Sequence, residues 1–194
     1  MKNTILTLFL LACAAASLSA GPLSDRRIPS FTLPDVNATY HDILDYRGKV
    51  VVVEVMQTTC AHCQAMVPIL EKVQNKYGSR LAILTIVVPP DNMDTVKEFA
   101  TRFRVTYPIL FDCGQAAAAL LKVTPQNPKV DFPHLFLVDS KGMIREDFDW
   151  VLDEAALTGN GLFESIDKIL AAAPAHAKAG VKTPAKAPAK AAGK

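Results

Sequence analysis

The chain has 194 residues, of which 21% are charged, and a formal net charge of +2; that length suits one globular domain with an appendage at each end. The charge is unevenly spread. Setting aside Lys2 and the five lysines from Lys178 onward leaves 15 basic residues against 19 acids, so the domain itself is acidic and its charge excludes a nucleic-acid binder.

Residues 1–20 read as a cleaved secretory signal: a short positive start at Lys2, an apolar run from Ile5 to Ala16, and small residues before a cut at Gly21. The run is too short for a membrane span, which places the mature protein outside the cytoplasm, most simply in a bacterial periplasm. Leu10-Leu11-Ala12-Cys13 offers a second reading, a lipoprotein box with Cys13 lipidated. After a leader over 21–27, short strands are expected at Ile28 to Phe31 and Val36 to Ile43 around a Pro34-Asp35 turn, ahead of a turn through Gly48.

Val50 to Met56 is an almost unbroken apolar run, as a strand buried on both faces requires. Apolar positions then fall at helical spacing from Cys60 to about Tyr77, with Pro68 inside and Gly78 as the stop. Cys60 therefore sits at a helix N-terminus, where unsatisfied N–H groups and the positive end of the macrodipole favour a thiolate. That makes it the candidate nucleophile. Cys63 lies one turn on, on the same face, within reach of a disulfide and less exposed. Zinc needs four ligands, and the chain holds no second Cys-x-x-Cys pair.

Further along, Leu81 to Val88 reads as a strand ended by Pro89-Pro90, and Asp94 as the N-cap of a helix over Thr95 to Phe103, with Glu98 near the capping-box position. Ile109 to Phe111 is a short strand, Gln115 to Leu121 a helix, and Val123 to Val130 a loop. Leu135 to Val138 and Met143 to Phe148 form a hairpin about Ser140-Lys141-Gly142, and Leu162 to Ala172 is the closing helix. The alternation argues α/β with a mixed sheet. Cys113 is read as a small core or junction residue, with a third redox thiol as the alternative. Residues 173–194 are Ala, Pro, Lys and Gly with one His, one Val and one Thr, a composition that does not bury a core; a weak contact with anionic surfaces through these lysines is the sharper reading.

From Ile28 to about Trp150 the chain resembles the thioredoxin-like proteins of the alkyl-hydroperoxide-reductase and thiol-specific-antioxidant superfamily, and within it the secreted TlpA-like thiol-disulfide oxidoreductases. The stretches that carry the likeness are Pro29 to Asp35, Tyr46 to Val53, Cys60 to Cys63 with Pro68, and Phe132 to Asp139 before Gly142. The resemblance implies a thioredoxin-like fold over 28–172, with an N-terminal β-hairpin extension. It implies that Glu54, an acid inside an apolar strand and so expected to have a raised pKa, moves a proton to and from Cys63. Pro133 matches the family's cis-proline, which exposes the backbone of Phe132 to an extended substrate. His62, between the cysteines, is expected to stabilise the Cys60 thiolate and make the disulfide more oxidising than thioredoxin's.

Thr59, Phe132 and His134 depart from the usual residues around such a site and bear on substrate choice. The expected function is periplasmic exchange with protein thiols and disulfides, with no cofactor or metal and, in the reducing direction, a membrane electron donor. Two alternatives stand beside it. One is a copper-binding module using Cys60, Cys63 and His62 or His134. The other is a peroxidase, whose Pro-x-x-x-Thr-x-x-Cys loop is unmatched because Val53 and Gln57 occupy the key positions.

Overall fold

Val50–Met56, all seven residues buried, form β4 at the centre of the sheet in a computed structural model that describes residues 21–172. Residues 1–20, read as a signal, with Cys13, and the lysine-rich residues 173–194 lie outside the described residues. Parallel to β4 runs β5 (Leu81–Val87), and antiparallel to it β7 (His134–Val138). Beyond these come β6 (Ile109–Phe111) on one side, and β8 (Met143–Asp149) and β1 (Arg26–Arg27) on the other. The sheet order is β1-β8-β7-β4-β5-β6. Successive side chains of a strand point to opposite faces. Val50 and Val52 pack beneath α1 (Ala61–Tyr77) and α5 (Gly161–Ala172), against Met66, Leu70 and Ile166. Val51, Val53 and Val55 meet Phe136, Leu84 and Leu120 on the other face, Leu120 belonging to α3 (Gln115–Leu121). Burial on both faces, worth about 1.5–3 kcal/mol per fully buried aliphatic side chain, is why the strand tolerates only apolar residues at all positions but one. The exception is Glu54.

The amino-terminal strands differ from expectation. Ile28 and Phe31 are buried, but in a connecting segment; pairing is confined to β1, to β2 (Thr32–Pro34) and to β3 (Tyr40–Asp42), the last two forming a separate two-stranded sheet. Pro29 has no N–H to offer a ladder. The reversal is at Asp35, whose Oδ1 accepts the N–H groups of Asn37 (2.8 Å) and Thr39 (2.9 Å), a turn that shifts the hairpin's strands apart from Val36.

One helix boundary also moves, and one helix is new. α2 (Met93–Phe103) is capped by Asn92, not Asp94. Asn92 Oδ1 accepts from Asp94 N and Thr95 N, and Thr95 Oγ1 accepts in turn from Asn92 N at 3.0 Å, so Thr95 rather than Glu98 closes the capping box. Between β8 and α5 lies α4 (Trp150–Thr158), which the sequence pattern does not announce. Asp149 Oδ1 caps it at Val151 N (2.8 Å), Asp153 interrupts it with non-helical angles, and only Trp150 and Leu157 are buried.

Candidate active site

The strand β4 delivers the chain to a tight turn, Gln57 to Cys60, and Cys60 caps α1 with its own sulfur. Cys60 has extended backbone angles, and its Sγ accepts the Cys63 N–H at 3.3 Å. The Cys60 thiol also donates to the Phe132 carbonyl at 3.5 Å. Both sulfurs are free thiols, Cys60 half-buried and Cys63 fully enclosed at 0% exposure. Burial pushes the Cys63 thiol well above its ordinary range, and the charge of Glu54 pushes it further.

Glu54 stands on the same sheet face as Val52 and Met56, under the end of the sheet where Cys63 lies. Burial raises its carboxyl from 4.5 to about 7, against the opposing hydrogen bond from Thr85. Thr85 Oγ1 donates to Oε2 at 2.8 Å, while Oε1 is buried with no partner among the described residues. A carboxyl with a free oxygen and a pKa near neutrality can both take and return a proton. The phenol of Tyr107 is likewise pushed up, by burial and then by Glu54 and Glu71.

The turn itself is held by residues that the sequence pattern does not single out. Asp91 accepts from Thr58 N at 2.8 Å and from the Thr58 hydroxyl. Gln64 Nε2 donates to Thr58 O at 2.9 Å, and Gln57 Nε2 to Pro89 O at 3.0 Å. Thr59 is left exposed. The only signal in the sequence is Asp91 after a proline pair, which reads equally as a loop end.

Across from the sulfurs, the Phe132–Pro133 bond is cis, as is Pro89–Pro90. Phe132 is partly buried, Pro133 fully so, and the Pro133 carbonyl accepts the Trp150 N–H at 3.3 Å. His62 is exposed, and its ring lies against the Trp150 indole with centroids 4.9 Å apart and planes 26° apart. His134 points to the other sheet face. Its Nε2 is 3.3 Å from Asp147 Oδ2, off the angle of a hydrogen bond, Nδ1 is 3.9 Å from Asp149, and the ring packs on Phe136 at 4.7 Å. Cys60, Cys63, Glu54, Phe132 and Pro133 thus gather at one end of the sheet, and His62 borders them. His134 is turned away from Cys60 and Cys63. Among the described residues no three His, Cys, Asp or Glu side chains gather as a metal site. Cys113 is exposed just before α3, so it is not a core residue as one expectation had it.

A mixed sheet of this order, a Cys-x-x-Cys pair at the start of the helix that follows its central strand, and a cis-proline facing that pair define a thioredoxin-like fold. The chain belongs to the AhpC/TSA family, whose model matches residues 25–147. Among curated relatives, the thiol-disulfide oxidoreductase ResA of Geobacillus thermodenitrificans is 27% identical over 156 residues, covering 75% of this chain and 84% of that protein. Among solved structures, the thioredoxin domain of a thiol-disulfide oxidoreductase from Bacteroides vulgatus superposes with a TM-score of 0.61 at 20% identity, covering 75% of this chain and 96% of that one. A secreted disulfide oxidoreductase of Mycobacterium tuberculosis superposes with a TM-score of 0.50 at 17% identity, covering 59% and 79%. The homologues of this chain are thiol-disulfide oxidoreductases.

Proposed function

We propose that this chain is an extracytoplasmic thiol-disulfide oxidoreductase that exchanges the Cys60–Cys63 pair with cysteines of protein substrates. In the reducing direction the Cys60 thiolate attacks a substrate disulfide; one substrate sulfur leaves as a thiolate and a mixed disulfide forms. Glu54 then takes the Cys63 proton, the Cys63 sulfur attacks Cys60 Sγ, and the second substrate thiol departs. Two electrons pass from the enzyme's dithiol to the substrate, and the oxidising direction is the same path reversed. The observation that carries this reading is the unequal pair of sulfurs, one reachable and one enclosed, with a carboxyl of pKa about 7 on the enclosed one's side of the sheet.

The compartment follows from residues 1–20 read as a secretory signal, and it agrees with the description of the Mycobacterium tuberculosis structure as a secreted protein. The working domain is residues 28–172. The lysines of residues 173–194 supply a weak affinity for anionic surfaces, and a membrane donor supplies electrons if the protein reduces its clients. Thr59 and Phe132, flanking the reachable sulfur, contact the substrate. The peroxidase alternative is disfavoured by Gln57, whose amide is engaged by Pro89 O, and by Val53, which is buried in the core. The copper alternative loses His134 to Asp147.

Equilibration of the mature protein with a glutathione redox buffer tests the reading. A reversible two-electron transition that is lost in Cys60→Ser is expected; sulfurs that neither join nor separate in that buffer would refute exchange. The midpoint decides the direction, with a value near about −270 mV meaning a reductase and one toward about −120 mV an oxidase.

A further inference from the structure

Trp150 fixes the start of α4 beside the reactive sulfur. Cys60 is bonded to the Phe132 carbonyl, Trp150 N to the next carbonyl at Pro133, and the Trp150 indole carries the His62 ring. Trp150 is itself only 4% exposed. The two residues that follow are the opposite. Val151 is 67% exposed and Leu152 78% exposed, the two barest of the large aliphatic side chains among the described residues. Single apolar residues scattered over a surface are ordinary. These two are adjacent, on a helix whose inward packing is already supplied by Trp150 and Leu157, and they stand next to the site of exchange.

The rim of this ledge is acidic. Asp149 and Asp153 are partly exposed, Glu154 is exposed, and Asp131 faces them from the loop before Phe132. Lys129 is the cation of this neighbourhood, 2.9 Å from Asp131 and within the field of Asp149. Among the described residues, four carboxylates against one ammonium give the ledge a negative surround, which attracts basic partners and repels acidic ones.

Resting on the exchange reading above, we propose that Val151 and Leu152 form a docking ledge for the substrate polypeptide, taking an extended segment that carries an aliphatic side chain and a lysine or arginine beside its cysteine. Such a segment lays its apolar side chain on the ledge and its cation among Asp149, Asp153 and Glu154, and so holds its sulfur against Cys60. The ledge sets which clients are bound; it takes no part in the bond exchange.

Two synthetic peptides of equal length, each closed by one internal disulfide, test this. One has Leu and Lys next to a cysteine and the other Ser and Glu. The native protein is expected to reduce the Leu/Lys peptide with a kcat/KM higher by about 10-fold or more, the scale on which an apolar binding site discriminates by a small aliphatic group. A Val151→Ser/Leu152→Ser variant, whose changes lie on the surface, is expected to lose that preference through a raised KM. Glutathione, too small to span ledge and sulfur together, should exchange equally fast with both proteins. Equal kcat/KM for the two peptides in the native protein, or a preference that survives in the variant, overturns the ledge while leaving the exchange reading intact. A native dimer that the same substitutions dissolve in sedimentation would assign the surface to a second copy and overturn it too. Absence of any exchange with glutathione overturns the reading on which it rests, and the ledge with it.

Discussion

Two of the carboxylates buried in this sheet lie on opposite faces and behave in opposite ways. Glu54, 2% exposed beneath α1, is pushed up to about 7 by burial, with one hydrogen bond from Thr85 and one oxygen left bare. Asp147, 5% exposed on the far face, is held below its ordinary value. Burial acts on Asp147 as well, and is outweighed by His134, the Ser24 hydroxyl at 2.6 Å and the Leu23 N–H at 3.1 Å. Desolvation is common to both sites; the supply of donors is what differs. A carboxylate surrounded by donors is structural, and one starved of them is left able to bind a proton.

The largest expected effect comes from removing the proton acceptor without removing its shape. Glu54→Gln should slow resolution of the mixed disulfide by about 10²-fold or more, within the range of general acid–base catalysis, and abolish the inflection near pH 7 in its rate. Stopped-flow release of a substrate thiol measures both. An unchanged pH profile would move the proton transfer elsewhere.

Asp147→Asn tests the other carboxylate. It uncouples His134 and loosens the leader at Leu23 and Ser24, and should cost about 3 kcal/mol of stability in urea unfolding with glutathione exchange unaltered.

The same two residues should give pH dependences of opposite sign. Because Glu54 has a higher pKa folded than unfolded, the folded protein holds the extra proton, so stability declines as pH rises from about 4.5 through about 7. The full loss is about 3 kcal/mol, and Glu54→Gln should flatten it. Asp147, with its pKa lowered, contributes stability that is present above its unfolded value and lost as pH falls through the folded one. Urea midpoints collected from pH 3 to 9 on the native protein and both variants would separate the two contributions.

Smaller effects sharpen the comparison. Thr85→Val withdraws the donor that Glu54 does have, and should move the rate inflection upward by about one unit. His62→Ala should make the reduction potential more negative by about 10–30 mV, since an imidazole beside Cys60 that favours the thiolate favours the reduced state. Its ring rests on Trp150 with no hydrogen bond to sulfur, which is why the expected shift is modest.

Much of this architecture was legible in the residues. The run Val50 to Met56 could only be a strand covered on both faces, and the acid inside it announced itself by breaking the run. Gly78 ended α1, and Gly142 turned the β7–β8 hairpin, because each adopts a positive φ. What was hidden depended on partners distant in sequence or on side chains that answer one another. Asp94 was read as the cap of α2; Asn92 takes that place because its side chain and that of Thr95 answer one another. α4 has its apolar residues at the wrong spacing for a buried stripe, since Val151 and Leu152 face water. That His134 belongs to the far face follows from its place in β7, whose alternation was read only from Leu135 onward.

Asp91 carries a last consequence. One of its oxygens meets the Thr58 amide, and the other meets the hydroxyls of both Thr58 and Thr95. The approach to Cys60 and the first turn of α2 are therefore latched by one side chain. Deuterium should enter the amides of Thr58 and Thr95 at a shared rate, as for a single cooperative unit, and replacing Asp91 with Ala should let the two rates part.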